Sequence, residues 1–354
     1  MSRFFSDRHK SLVPYTPGEQ PTGRQYIKLN TNESPFPPSE KAVAYAAQAA
    51  KRLELYPDPT CGELHAAFAK QCGVEPDEVL MTNGSDEILY FAFQAFCDDR
   101  HPAAFADVTY GFYSVFAQLL HIPYTLIPLR EDFTIEPEDY VGLGKTIFLA
   151  NPNAPTGIAL GLDAVERIVR GNPNNVVVVD EAYVDFGGES AVSLIHRYDN
   201  LLVTQTFSKS RSLAGGRLGC GLGCKALIAD LNTIKYSTNP YNINRMTMAA
   251  GLGALEDDAY MRDNCSKIIE TREATTEALR RLGFTVIDSS ANFVFAKADW
   301  IGGSDLYLQL KERGVLIRHF ETPRLKDYNR ITIGTREQMR ALILAINDIR
   351  EAQT

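Results

Sequence analysis

The feature that most limits the fold is a series of short, almost wholly aliphatic runs, each closed by polar residues, that begins near residue 78. EVLMT (Glu78 to Thr82), TLIPL (Thr125 to Leu129), TIFLA (Thr146 to Ala150), NVVVVD (Asn175 to Asp180) and NLLVTQTF (Asn200 to Phe207) are its members. Continuous apolar runs of about four to eight residues describe strands covered on both faces. Longer amphipathic stretches separate them, such as SDEILYFAFQAF (Ser85 to Phe96). The expected fold is therefore α/β: a large domain with a mainly parallel sheet between helices, joined by right-handed crossovers. A length of 354 residues leaves room for a second, smaller unit.

The ends of the chain read differently. Before residue 40, prolines from Pro14 to Pro38 disfavour regular elements, while Ile27 and Leu29 suggest an arm packed onto something else. Alanine-rich sequence predicts a helix from about Ser39 to Leu53, and a second carries Glu63 to Gln71 beyond YPDPTCG. A long helical stretch after Asn244 is expected to break near Glu256 to Asp258. FTVIDSSANFVFAKA, SDLYLQLKERG, VLIR, RITIGT and a terminal helix then make an α+β tail. The expected division is an N-terminal arm (1–40) joining the small domain and a dimer interface, a large domain (41–264) and a small domain (265–354).

Composition narrows the function classes. The net charge is −8, which argues against a nucleic-acid partner, and no run approaches the roughly 20 apolar residues of a membrane span. The first residues lack the apolar core of a secretion signal, and six cysteines form no disulfide framework, so a cytoplasmic protein is expected. The histidines show no HExxH, Cys220 and Cys224 are not a CxxC pair, and no metal site is expected.

Four polar clusters fall at strand ends, where ligands bind in open α/β sheets: NGSDE, NPNAPTG, DEAY and TFSKS. At Gly84-Ser85-Asp86 a strand turns into a helix whose free amides suit a phosphate, though ordinary capping explains the same residues. Lys209 closes a buried strand and is either a solvated lysine or an amine placed to form a Schiff base with an aldehyde. Arg217 follows a glycine pair, and its planar fork suits phosphate oxygens, with Ser208 and Ser210 offering hydroxyls. Asp180 ends NVVVVD; it is paired structurally or holds a cationic ring nitrogen. Asn151 and Tyr183 are a turn residue and a surface tyrosine, or donors to a ring oxygen.

Taken in order, NTNESPFPPS, YPDPTCGEL, NGSDE, NPNAPTG, DEAYVDF, TFSKSRSLAGGRLG and RITIGT resemble the fold-type-I pyridoxal-phosphate aminotransferases, and most closely the histidinol-phosphate aminotransferase family. The resemblance spans essentially the whole chain. It implies pyridoxal 5′-phosphate bound through Lys209, with Asp180 on the ring nitrogen and Asn151 and Tyr183 on the ring oxygen. Ser85, Asp86, Ser208 and Arg217 would form the phosphate cup, and Tyr110 would stack on the ring. The resemblance further implies a homodimer, with Tyr56 reaching the partner's cofactor and Tyr15 approaching substrate. Arg330, supported by Arg318, would hold the substrate anion; read without the resemblance, Arg330 is a paired surface arginine. Gly216 and Cys220 stand where relatives often carry bulkier residues, which would loosen packing around Arg217.

The reaction so implied is amino transfer between L-histidinol phosphate and 2-oxoglutarate in histidine biosynthesis. The alternatives are an aromatic amino acid aminotransferase and a threonine-phosphate decarboxylase.

Overall fold

The structure, a computed structural model, describes residues 2–20 and 23–353. The arm contributes β1 (Ile27–Lys28), followed by α1 (Glu40–Ala50) and α2 (Gly62–Cys72). Next come β2 (Val79–Thr82), α3 (Ser85–Phe96), β3 (Ala103–Ala106), α4 (Phe112–Leu120), β4 (Tyr124–Ile127), β5 (Thr146–Ala150), α5 (Leu162–Arg170), β6 (Val177–Asp180), β7 (Leu201–Thr206) and β8 (Gly219–Gly223). Helices α6 (Lys225–Thr238), α7 (Arg245–Leu255) and α8 (Asp258–Arg281) lead to β9 (Phe284–Ile287), β10 (Phe293–Ala298), α9 (Gly303–Glu312), β11 (Val315–Leu316), β12 (Arg318–His319), β13 (Asn329–Thr332) and α10 (Arg336–Glu351).

The aliphatic runs pair into one seven-stranded sheet of order β2-β8-β7-β6-β5-β3-β4. All neighbours are parallel except β8, which runs antiparallel to both β2 and β7. Both faces are covered, as the unbroken runs require. Ile147, Leu149, Val177, Val179, Leu201 and Val203 belong to one buried cluster, and Phe148, Val178 and Leu202 to the opposite one. That two-residue alternation places Asp180 on the same face as Val178, toward α3 and α4.

Two strands were not legible in the sequence. AAFA of β3 has weak β propensity, and the glycines of β8 read as a loop. The glycines are required by close approach. A Cβ on Gly219 would lie 2.4 Å from the Ser85 amide nitrogen, and one on Gly221 would lie 2.8 Å from Ile88. The start of α3 is thereby pressed against the sheet.

The predicted break between long helices falls at Glu256–Asp257, between α7 and α8, and α8 then runs unbroken through residue 265. A four-stranded antiparallel sheet, β12-β13-β10-β9, follows. The arm docks there: β1 pairs in parallel with β11, and Leu29 enters the same core as Val294, Ile331 and Leu342. Cys220 lies wholly buried on β8 among Met81, Val203 and Leu222, so the smaller side chain there belongs to the sheet core. No helix among the described residues is long and apolar enough to cross a membrane.

Candidate active site

The carboxyl ends of β5, β6 and β7, the start of α3 and the arm enclose a cavity of about 480 Å³. Its walls include Lys209, Asp180, Tyr183, Tyr110 and Ser208, together with Ser85, Asp86 and Arg217. Eight of the residues singled out by sequence thus line one space. A depression of about 550 Å³ between α1, α2 and α7 is larger, but it collects none of these groups.

Asp180 is buried and receives hydrogen bonds from the Tyr113 hydroxyl at 2.9 Å and the Thr204 hydroxyl at 3.2 Å. Thr204 is its register partner on β7, and Tyr113 is a wholly buried residue of α4. Among the described residues no cation pairs with Asp180. Burial pushes its carboxyl up to about 6, against the pull of Tyr113. A carboxylate so placed is strongly favoured by a cationic nitrogen. Both supporting residues escaped sequence reasoning: Thr204 becomes visible only through strand register, and Tyr113 only through the turn of α4 three residues after Tyr110.

The Lys209 amine reaches the Thr31 carbonyl at 3.3 Å and lies 5.8 Å from the centre of the Tyr183 ring. Burial first, then the Arg330 charge, lowers it to about 8, opposed by Glu33 and Asp86. At neutral pH a far larger fraction of this amine is unprotonated than for an ordinary lysine, which is what a nucleophile or base needs.

One end of the cavity is prepared by backbone to receive an anion. Gly84 precedes α3 at φ 80° and has no side chain to cap the first turn, leaving the amides at Ser85 and Asp86 beside the cavity. A Cβ at Gly84 would lie 2.5 Å from Arg217 Nη2, so glycine is needed for both conformation and space. Arg217, itself at φ 53°, donates to the Asp86 carboxylate at 3.0 Å and approaches Ser208 Oγ at 3.5 Å. Tyr110 donates to the other Asp86 oxygen at 2.6 Å.

Asn151 does not line the cavity. Its amide donates to the Leu160 carbonyl at 3.0 Å and its oxygen accepts from the Leu160 amide at 2.7 Å. The side chain ties the loop after β5 to itself, and Pro152 and Ala154 face the cavity instead. Tyr56 also lies outside the cavity: it is 78% exposed and stacks on Tyr241 at 4.8 Å.

Arg330 and Arg318 stand beyond the cavity walls as direct cross-strand partners on β13 and β12. Like charges facing each other across strands are unfavourable unless an anion joins them. Among the described residues neither forms an ion pair. Arg330 donates to the Asn30 carbonyl at 3.1 Å, sits over Phe293 and Phe320, and leaves its buried Nε without a partner. Arg318 reaches the carbonyls of Pro17 and Thr16, each at 3.3 Å. Tyr15 packs on Phe112 at 4.4 Å, within electrostatic reach of Arg330 and Tyr110. The paired surface arginine that residue 330 suggests in isolation is not what forms.

These residues fit a planar phosphate-bearing aldehyde. An uncompensated buried carboxylate and a buried amine flank one cavity, whose end is lined by Arg217 and a helix N-terminus. The model of the aminotransferase class I and II family matches residues 24–346. The histidinol-phosphate aminotransferase of Marinomonas sp. (strain MWYL1) is 51% identical over 353 residues, covering 99% of this chain and 100% of the relative. That of Brachyspira hyodysenteriae is 49% identical and covers 96% of each chain. The solved structure of the Sinorhizobium meliloti histidinol-phosphate aminotransferase in complex with pyridoxal-5′-phosphate has a TM-score of 0.90. At 22% identity, with 100% of this chain and 99% of that one covered, it establishes the shared fold. The chain therefore belongs to the histidinol-phosphate aminotransferase family of the class I and II aminotransferases, which are pyridoxal-phosphate enzymes.

Proposed function

We propose that this protein transfers the amino group of L-histidinol phosphate to 2-oxoglutarate, yielding imidazole acetol phosphate and L-glutamate in histidine biosynthesis. The observation that carries the reading is the placement of Lys209, Asp180 and Arg217 around one cavity, with the unpaired Arg330 beside it.

Pyridoxal phosphate, when bound, supplies an aldehyde that exchanges amines and a protonated ring that accepts the electron pair released at the donor's α-carbon. Lys209, lowered to about 8, would provide the anchoring amine and, when free, would serve as the base and acid that move the donor's α-proton. Asp180, oriented by Tyr113 and Thr204, holds the ring nitrogen's proton. Arg217, Ser208 and the amides of Ser85 and Asp86 would hold the phosphate, and Tyr110 would lie against the ring. Tyr183 would donate to the ring oxygen. Arg330, with Arg318 and Tyr15, receives the anion of either substrate, since one guanidinium fork accepts a carboxylate or a phosphate.

The protein is further read as a cytoplasmic homodimer, in which Tyr56, exposed on the single chain, would reach the partner's cofactor phosphate. The two sheets support a large domain over 41–264 and a small one over 265–354, joined through the long helix α8 and by the arm.

The test is a donor panel with 2-oxoglutarate, comparing kcat/KM for histidinol phosphate, phenylalanine and tyrosine, with carbon dioxide release from threonine phosphate measured alongside. Histidinol phosphate is expected to lead. A higher kcat/KM for phenylalanine or tyrosine, or carbon dioxide release in place of amino transfer, would replace this reading with one of the alternatives.

A further inference from the structure

The cavity rim between the ends of β5 and β6 is poor in hydrogen-bond donors. Pro152 and Ala154 face the cavity there without a polar side-chain atom, and Asn151 spends its amide on Leu160. Tyr183 is the side chain on this rim with a proton to give. A phenol has one proton and can also accept, so the direction of its donation is set by its other partner.

That partner is Asn32, on the arm, buried and in the left-handed conformation at φ 57°. Its Nδ2 lies 2.9 Å from Tyr183 Oη. The orientation of the amide follows from its surroundings. The Asn32 backbone N–H donates to Thr332 Oγ1 at 3.0 Å, and that hydroxyl is left to donate its own proton to Asn32 Oδ1, also at 3.0 Å. With Oδ1 taking the Thr332 proton, Nδ2 faces the tyrosine. Asn292 Nδ2 donates to the Asn32 carbonyl at 3.0 Å and completes the anchoring. Burial holds the Tyr183 hydroxyl above its ordinary value, against the pull of Arg330 and Asn32, so it remains protonated at neutral pH.

We infer that Asn32 is a positioning residue: by donating to the Tyr183 oxygen it commits the tyrosine's proton to the cavity, toward the ring oxygen of the pyridoxal group. This rests on the cofactor reading above and adds to it the polarity of a single hydrogen bond, set from the arm and from β13 rather than from the large sheet. Because Ala154 supplies no second donor, the ring oxygen depends on this one bond.

The test is a pH titration of the visible absorbance of the holoenzyme. A hydrogen bond donated to the ring oxygen disperses its negative charge and disfavours a proton on the neighbouring nitrogen, so losing it raises the pH midpoint. Asn32→Gly is the chosen variant, because glycine keeps the left-handed backbone. It is expected to raise the midpoint by about half a pH unit, in the same direction as Tyr183→Phe. In the double variant Asn32→Gly/Tyr183→Phe the midpoint should equal that of Tyr183→Phe alone, since Asn32 acts only through the tyrosine. Thr332→Val, which frees the amide to turn, should give a smaller rise and serves if Asn32→Gly does not fold. An unmoved midpoint in Asn32→Gly, or shifts that add in the double variant, would overturn the inference while leaving the cofactor site intact. Failure of the unsubstituted protein to form a lysine-bound chromophore would remove both.

Discussion

At the carboxyl ends of the large sheet, Asp180 is enclosed and oriented, with hydroxyls from Tyr113 and Thr204 on its oxygens. Across the cleft, the guanidiniums of Arg330 and Arg318 face each other on the small sheet, resting on backbone carbonyls, with one buried nitrogen left unbonded. On the proposed function, the contrast separates two tasks. A cofactor that stays bound rewards a preorganised setting. An anion that arrives and leaves each half-cycle requires charge held without a permanent partner. The arm lies between them: its carbonyls at Asn30 and Thr31 receive Arg330 and Lys209, and Asn32 holds Tyr183.

The largest effect expected from breaking one side of this comparison is at Lys209. Lys209→Ala should lower transamination by more than about 10⁴-fold. Borohydride reduction of the variant with cofactor should leave no covalent adduct by mass spectrometry. Multiple turnover at an undiminished rate would refute the assigned role.

Arg330→Ala acts on the other side. It should raise KM for both anionic substrates by about 10²-fold while cofactor affinity stays near that of the unsubstituted protein. Equal losses in cofactor and substrate binding would erase the division between the two halves.

Gly219→Ala tests how the cofactor half is braced. The added methyl would meet the Ser85 amide nitrogen at 2.4 Å, so a stability loss of about 1–3 kcal/mol in urea unfolding is expected, together with weaker cofactor retention. Unchanged retention would mean that the α3 amides do not need this close seat.

The smallest effect is in pH. A Lys209 amine at about 8 is charged below that value and free above it, whereas an ordinary lysine stays charged to about 10.5. Cofactor capture by the apoprotein should therefore quicken by up to about tenfold per unit as pH rises toward 8, then level off. A rate still climbing at pH 10 would show that burial and Arg330 do not lower this amine.

Much of the cofactor half was legible because its chemistry sits at the ends of aliphatic runs. NVVVVD and TFSKS announce a carboxylate and an amine at strand termini. Glycine-rich β8 was illegible because its glycines answer a neighbouring helix, which local pattern does not reveal. Asn151 was ambiguous because its side chain could serve a ring or its own loop, and its contact with the Leu160 backbone is visible only in the fold. Tyr113, Thr204 and Asn32 carry no local mark of their roles, since each acts through a contact distant in sequence.

What the sequence by itself determined was the doubly covered sheet, its crossover helices and the identities of the ionisable groups at its rim, because those follow from local periodicity and from the cost of burying charge. Only the tertiary structure decided which of those groups share a cavity, that Arg330 and Arg318 meet without a counter-charge, and which way the Tyr183 proton points. Those outcomes depend on register and on the docking of an arm some 300 residues from its partner on β13, distances over which sequence pattern carries no geometric information.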